Sequence, residues 1–254
     1  MPSVQVLITF DFEEWEVKAD LYAKTKRIVN LLMERGLPAT FFLDADTVLK
    51  YPEAARLLLD GQFELALHSD YHFTKNNSSS HDLDFSLQSH ETQILRLMKA
   101  IEMIRKVIPS FDPKGFRAPG LRWNDELYIS LSKLNFLYDS SQQDRFTFKP
   151  FLKNGIIVFP VNCGEHDSAC YKQKPQYVIN DWIDKFKSVY RATNEGVKPY
   201  FLVLAHPSVS GKYKYIGMLK AILNRISYYD VEYLTCSEAA HRYLRERKLE
   251  LLQS

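Results

Sequence analysis

The run Phe63-Glu64-Leu65-Ala66-Leu67-His68-Ser69-Asp70-Tyr71-His72 decides how this chain is read. An apolar stretch of strand character delivers two histidines in the spacing H-x-x-x-H. Imidazole is the commonest side-chain metal ligand, and two of them four residues apart can close on one ion if the backbone turns helically after the first. The pair alone is also compatible with a surface turn that binds nothing. Three other polar stations supply context: Asp11-Phe12-Glu13, Arg117-Ala118-Pro119-Gly120 and His206-Pro207 each follow an apolar, strand-like run. No single local structure needs that coincidence, whereas a fold that gathers strand ends does.

Outward from this run, residues 4–10, 39–43, 115–118, 136–138, 156–161, 200–205 and 231–235 read as further strands. Helical patterns alternate with them. One covers residues 21–35 and ends at Gly36, a suitable left-handed cap; a short one opens at Pro52 and stops before Gly61. Ser89 caps a long amphipathic helix whose Ile94, Leu97, Met98, Ile101 and Ile104 share a face, and Asn124 caps one that runs to Leu134. Helices at 177–190, 215–226 and from Ser237 onward complete the pattern. Such alternation, with no internal repeat or proline-rich linker, implies an α/β fold with a parallel sheet, most economically a distorted (β/α) barrel of about seven to eight parallel strands. An open doubly wound sheet is the alternative. The placement of Asp11, His68, Arg117, Asp139 and His206 at strand C-terminal ends favours the barrel, whose active sites assemble on that face.

The chain of 254 residues is long enough for one large core, and a single domain over residues 1–254 is expected. Charged residues make up 25% and the net charge is +2, so there is no basic field to suggest a nucleic-acid partner. Cys163, Cys170 and Cys236 are too few for a disulfide framework. No apolar run reaches membrane-spanning length, and Met1 leads almost directly into a strand, so a cytoplasmic location is expected. None of this sets the oligomeric state.

Thr9-Phe10-Asp11-Phe12-Glu13, the His68 and His72 pair, Arg117-Ala118-Pro119-Gly120 and Leu204-Ala205-His206 resemble, in order, the motifs of the polysaccharide deacetylase (NodB-like, carbohydrate esterase 4) family. Ala39-Thr40-Phe41-Phe42 is similar to that family's second strand. The resemblance implies a distorted (β/α) barrel, a divalent metal usually taken to be zinc, with cobalt, nickel or manganese as alternatives, and hydrolysis of an amide on an acylated amino sugar. Two departures stand out. Phe12 occupies the slot where the family usually has a second aspartate, and the next acid is Glu13, as in the subgroup spaced D-x-D or D-x-E. That subgroup includes relatives of allantoinases and cyclic-imide hydrolases as well as deacetylases of exopolysaccharide. The Asp-Trp of the fourth motif is missing; Glu165-His166-Asp167 lies in about its place, and Asp167 is carried over.

The chemistry expected of these residues is specific. Glu13, His68 and His72 form a two-nitrogen, one-carboxylate ligand set with positions left open, as a catalytic metal requires. Asp11 is the candidate base, Arg117 its orienting partner, and His206 the acid for the departing amine. Trp15, Tyr71, Pro119, Trp123 and Asp167 are the candidate substrate-binding residues, and the polar loop 75–86 suits a flap that favours small or chain-terminal amides. Blander readings stand beside these: Asp44, Asp46 and Asp139 suit caps or turns, and Cys163, His166 and Cys170 suit buried packing better than a zinc site. Besides the deacetylase, the residues admit a cyclic imide or ureide hydrolase and an inactive glycan-binding barrel.

Overall fold

The computed structural model describes residues 3–14, 20–71, 84–195 and 198–253. Its hub is β1 (Val4–Phe12), in which every residue except Gln5 is buried. Burial on both faces explains why the strand is a continuous apolar run rather than an alternating one. Each of Val6, Leu7, Ile8 and Phe10 is fully withdrawn from water, worth about 1.5–3 kcal/mol apiece. The remaining strands are β2 (Ala39–Asp44), β3 (Phe63–Ser69), β4 (Gly115–Phe116), β5 (Tyr138–Asp139), β6 (Phe151–Lys153), β7 (Ile156–Val158), β8 (Tyr200–Ala205) and β9 (Val231–Leu234). The sheet order among the described residues is β6-β7-β5-β4-β3-β2-β1-β8, and β9 pairs with the first half of β1.

The curled sheet is a half-barrel of mostly parallel strands, the distorted barrel that the sequence implies. Past β7 the chain meets Pro160, which has no N–H for a ladder, and the gap to β8 is bridged by side chains. Asn162 accepts from the Leu202 N–H at 2.8 Å and donates to the Tyr200 carbonyl at 3.1 Å. Cys163 Sγ accepts from the Leu204 N–H at 3.4 Å. Nor is every pairing parallel: β6 runs antiparallel to β7. The turn between them is Asn154-Gly155, both at positive φ (48° and 81°), the backbone a tight hairpin requires.

Local signals set the helices that position the site. Asp20 accepts from the Ala23 N–H to cap the helix Leu21–Glu34, and Gly36 at φ 60° ends it in the left-handed region. Ser89 caps His90–Arg105 as its sequence suggests. Asn124 does not cap the next helix, Glu126–Lys133, whose cap position is Asp125. Its amide instead donates to the carbonyls of Ser86 and Gln88, tying that segment to the turn before this helix. A helix absent from the sequence reading, Ala45–Lys50, starts directly at the end of β2, with Asp44 Oδ1 accepting from the Thr47 N–H at 2.8 Å.

Candidate active site

The C-terminal ends of β1, β3, β4 and β8 converge, because parallel strands in register deliver their last residues to one rim. Asp11 lies at the end of β1, and Arg117, just past β4, donates from Nη1 to its Oδ1 at 2.7 Å. The guanidinium is fully buried. It lies 4.0 Å above the Phe42 ring and donates to Ser140 through both Nε (carbonyl, 3.2 Å) and Nη2 (hydroxyl, 2.9 Å). A planar fork held at three points cannot swing away, so the direction of the Asp11 carboxylate is fixed. Burial alone would raise the Asp11 carboxyl, but the Arg117, His68 and His206 charges outweigh it and hold it below the ordinary carboxylate value.

His206 follows β8, and Asp167 locks it twice. Asp167 Oδ1 accepts from the ring Nδ1–H at 2.6 Å, while Oδ2 accepts from the His206 backbone N–H at 2.9 Å and the Ser210 hydroxyl at 2.6 Å. The other ring nitrogen, Nε2, faces Glu13 Oε1 at 3.3 Å and Asp11 Oδ2 at 4.0 Å. Burial opposes a charge on this ring, yet Asp167, Glu13 and Asp11 together lift it to about 9. The three carboxylates thus favour the protonated ring.

His68 points to the same space. Its Nδ1 is 2.7 Å from the Arg117 carbonyl, which can only accept, so Nδ1 carries the hydrogen. Nε2 then faces Glu13 Oε2 at 3.3 Å. An imidazole nitrogen and a carboxylate oxygen aimed at one small buried volume need positive charge between them, and a ligating histidine characteristically donates its other nitrogen to a carbonyl in this way. The donor chemistry thus fits a divalent cation. Among the described residues no group of three His, Cys, Asp or Glu side chains closes on one point; His72, the third expected ligand, lies outside them.

The expected rim is only partly assembled. Trp15 and nearly all of the flap at 75–86 lie outside the described residues. Tyr71 is half-buried, with the Lys99 ammonium 4.8 Å from its ring. Pro119 is buried beside Arg117. Trp123 packs edge-on against Tyr128, with Lys153 of β6 over its face, so its ring is engaged in packing. Asp167 is fully buried with its oxygens committed to His206 and Ser210, which makes it a positioning residue rather than a substrate contact. The thiols of Cys163 and Cys170 are free, and burial pushes Cys163 up to about 12.

Ser140 escaped the sequence reading, while Asp44, expected as a cap or turn, and His166, expected as buried packing, each carry an unmet polar atom. Ser140 holds Arg117; the polar run Asp139-Ser140-Ser141 at a strand end was the available signal. Asp44 keeps Oδ2 buried with no partner, and burial raises its carboxyl to about 6. His166 likewise has a buried, unpartnered Nε2.

A curled, mostly parallel half-barrel thus brings an Asp–Arg pair and an Asp–His pair together over one carboxylate. Residues 1–138 match the polysaccharide deacetylase family, and the chain belongs to it. It is 23% identical over 257 residues to the peptidoglycan deacetylase of Helicobacter pylori, spanning 86% of this chain and 83% of that protein. A solved structure from Mycobacterium smegmatis, described as a candidate polysaccharide deacetylase, superposes with a TM-score of 0.76 at 21% identity, covering 97% of this chain and 92% of that one. The Puue allantoinase structure shares the fold with a TM-score of 0.70 at 13% identity, covering 94% and 89%.

Proposed function

We propose that the chain is a metal-dependent hydrolase that removes the acyl group from an N-acylated amino sugar or glycan. The observation that carries this reading is geometric: Asp11, held by Arg117, and His206, held by Asp167, meet beside Glu13, 4.0 Å apart at their nearest atoms. An amide resists hydrolysis at both ends: water must lose a proton as it attacks, and the amine must gain one as it leaves. The two groups here match those needs. Asp11, aimed by Arg117, takes the proton from the attacking water; His206, aimed by Asp167, protonates the departing nitrogen.

Glu13, His68 and His72 are the residues that would hold the cation, and the mixed nitrogen and oxygen set suits zinc, with cobalt, nickel or manganese as alternatives. Such an ion, when bound, supplies Lewis acidity to the carbonyl and to water. The buried walls exclude bulk solvent, so each charge acts at close to full strength. The match to polysaccharide deacetylases and the likeness to a peptidoglycan deacetylase support an acylated glycan as substrate.

The test separates acid from base. His206→Ala should cost far more on an N-acetyl amide than on an activated acetate ester, whose leaving group needs no proton. Equal losses on both substrates would remove His206 from the acid role. Faster turnover of a cyclic imide than of acetylated chitin oligomers would move the substrate class to imides.

A further inference from the structure

His166 is a side chain held in place with nothing to do. The segment beneath it is fixed from several directions. Gly164 adopts φ 98°, and a Cβ there would lie 2.1 Å from Asp181 Oδ2. The Glu165 N–H donates to that same carboxylate at 2.7 Å, and the Trp182 indole donates to the Glu165 carbonyl. On the other side Asp167 is tied to His206 and Ser210. His166 itself occupies the N-cap of the short helix Asp167–Tyr171, and its carbonyl accepts from the Ala169 N–H at 3.0 Å. The backbone is thus over-determined. Its ring, 6.5 Å from the His206 ring between centroids, makes no hydrogen bond among the described residues.

The ring is half-buried, and of its two nitrogens only Nε2 is shut off from solvent without a partner. A buried N–H with no acceptor is rarer and costlier than a buried bare acceptor. Burial opposes a second proton on the ring, and the His206 and Arg117 charges oppose it further. The tautomer that satisfies both constraints is neutral, with a bare Nε2 inside and hydrogen on Nδ1, the nitrogen that is not sealed off. That leaves a preorganised donor on the wall that also carries the acid.

We propose that His166 binds the substrate through Nδ1–H, donating to an oxygen of the amino sugar on the leaving-amine side of the scissile bond. This rests on the glycan-amide reading above and names the group that recognises the sugar rather than the acyl chain. The donor suits an oxygen acceptor, a hydroxyl or ring oxygen, and is a poor match for an ammonium.

Isosteric replacement tests the assignment at the level of the atom. Asparagine places an amide N–H where Nδ1 was, glutamine where Nε2 was, and phenylalanine keeps the ring without a donor. On an N-acetylated chitin trimer, His166→Asn should stay within about threefold of wild type, whereas His166→Gln and His166→Phe should lose roughly 10- to 100-fold in kcat/KM, carried mainly by KM. Trimer binding is measured by calorimetry on the same untreated preparations. An asparagine variant as poor as phenylalanine, or four proteins of equal KM, would overturn the proposal while leaving the hydrolase standing. If wild type releases no acetate, the hydrolase reading fails, and calorimetry decides: tighter binding by wild type and the asparagine variant than by the other two supports His166, and equal or absent binding overturns it.

Discussion

The two ends of β3 carry a half-buried acid, Glu64, and a buried base, His68, four residues apart, and they are treated in opposite ways. Near its start, Glu64 is saturated: Oε1 accepts from the Tyr138 and Ser237 hydroxyls, and Oε2 from the Thr40 hydroxyl and the Ser237 N–H at 2.9 Å each. Near its end, His68 and His206 face the same carboxylate, Glu13, while Asp44 Oδ2 and His166 Nε2 have no partner among the described residues. Saturation is what a group selected for stability shows. Unmet capacity concentrated at one rim of the same sheet marks where ligand and solvent supply the missing partners. The contrast predicts that changes at the Glu64 end are felt in stability and changes at the Asp11 end in turnover.

The largest effect should come from Asp11→Asn, which keeps shape and removes the base: turnover should fall by about two to four powers of ten with bound metal retained. Steady-state kinetics beside metal analysis checks it, and an active, metal-loaded variant would break the contrast at its centre. Glu64→Ala should do the reverse. Leaving the buried Tyr138 hydroxyl and its neighbours without an acceptor should cost roughly 2–4 kcal/mol in denaturant unfolding, while kcat per folded molecule holds.

A smaller effect is expected at Asp167. Asparagine there retains an acceptor but removes the charge that steadies the imidazolium, so kcat should drop about 10- to 100-fold with little change in KM. A change confined to KM would mean that Asp167 acts on substrate after all. The smallest concerns Asp44→Asn. Asparagine caps a helix as well as aspartate does, and the buried Oδ2 loses no bond, so thermal unfolding of the metal-free protein should shift by about 1 kcal/mol or less, upward if at all. A loss well above that would show that Oδ2 is already employed.

How much of this could be read beforehand follows from range. Asp11, Arg117 and His206 were legible because each ends an apolar run, and a parallel sheet turns that one-dimensional pattern into a common rim. His68 was legible for the same reason within β3. The role of Asp167 was not, since its partner is 39 residues away and nothing in Glu165-His166-Asp167 says which acid turns inward. The open side of the barrel was equally hidden, because Asn162 and Cys163 replace a ladder with side-chain bonds that have no periodicity. The β6–β7 hairpin, by contrast, carries a local turn signal, Asn154-Gly155, that the reading of alternating strands and helices left unused.

The central claim is that the rim around Glu13 hydrolyses amides with the help of a cation, and metal removal tests it most directly. Protein is stripped with a chelator, assayed for acetate release from an N-acetylated chitin trimer, and then resupplied with zinc, cobalt, nickel or manganese, with metal content measured at each stage and His68→Ala carried in parallel. Activity should vanish with the metal and return with at least one of these ions, and His68→Ala should have neither. A metal-free protein that releases acetate at an undiminished rate would contradict the account.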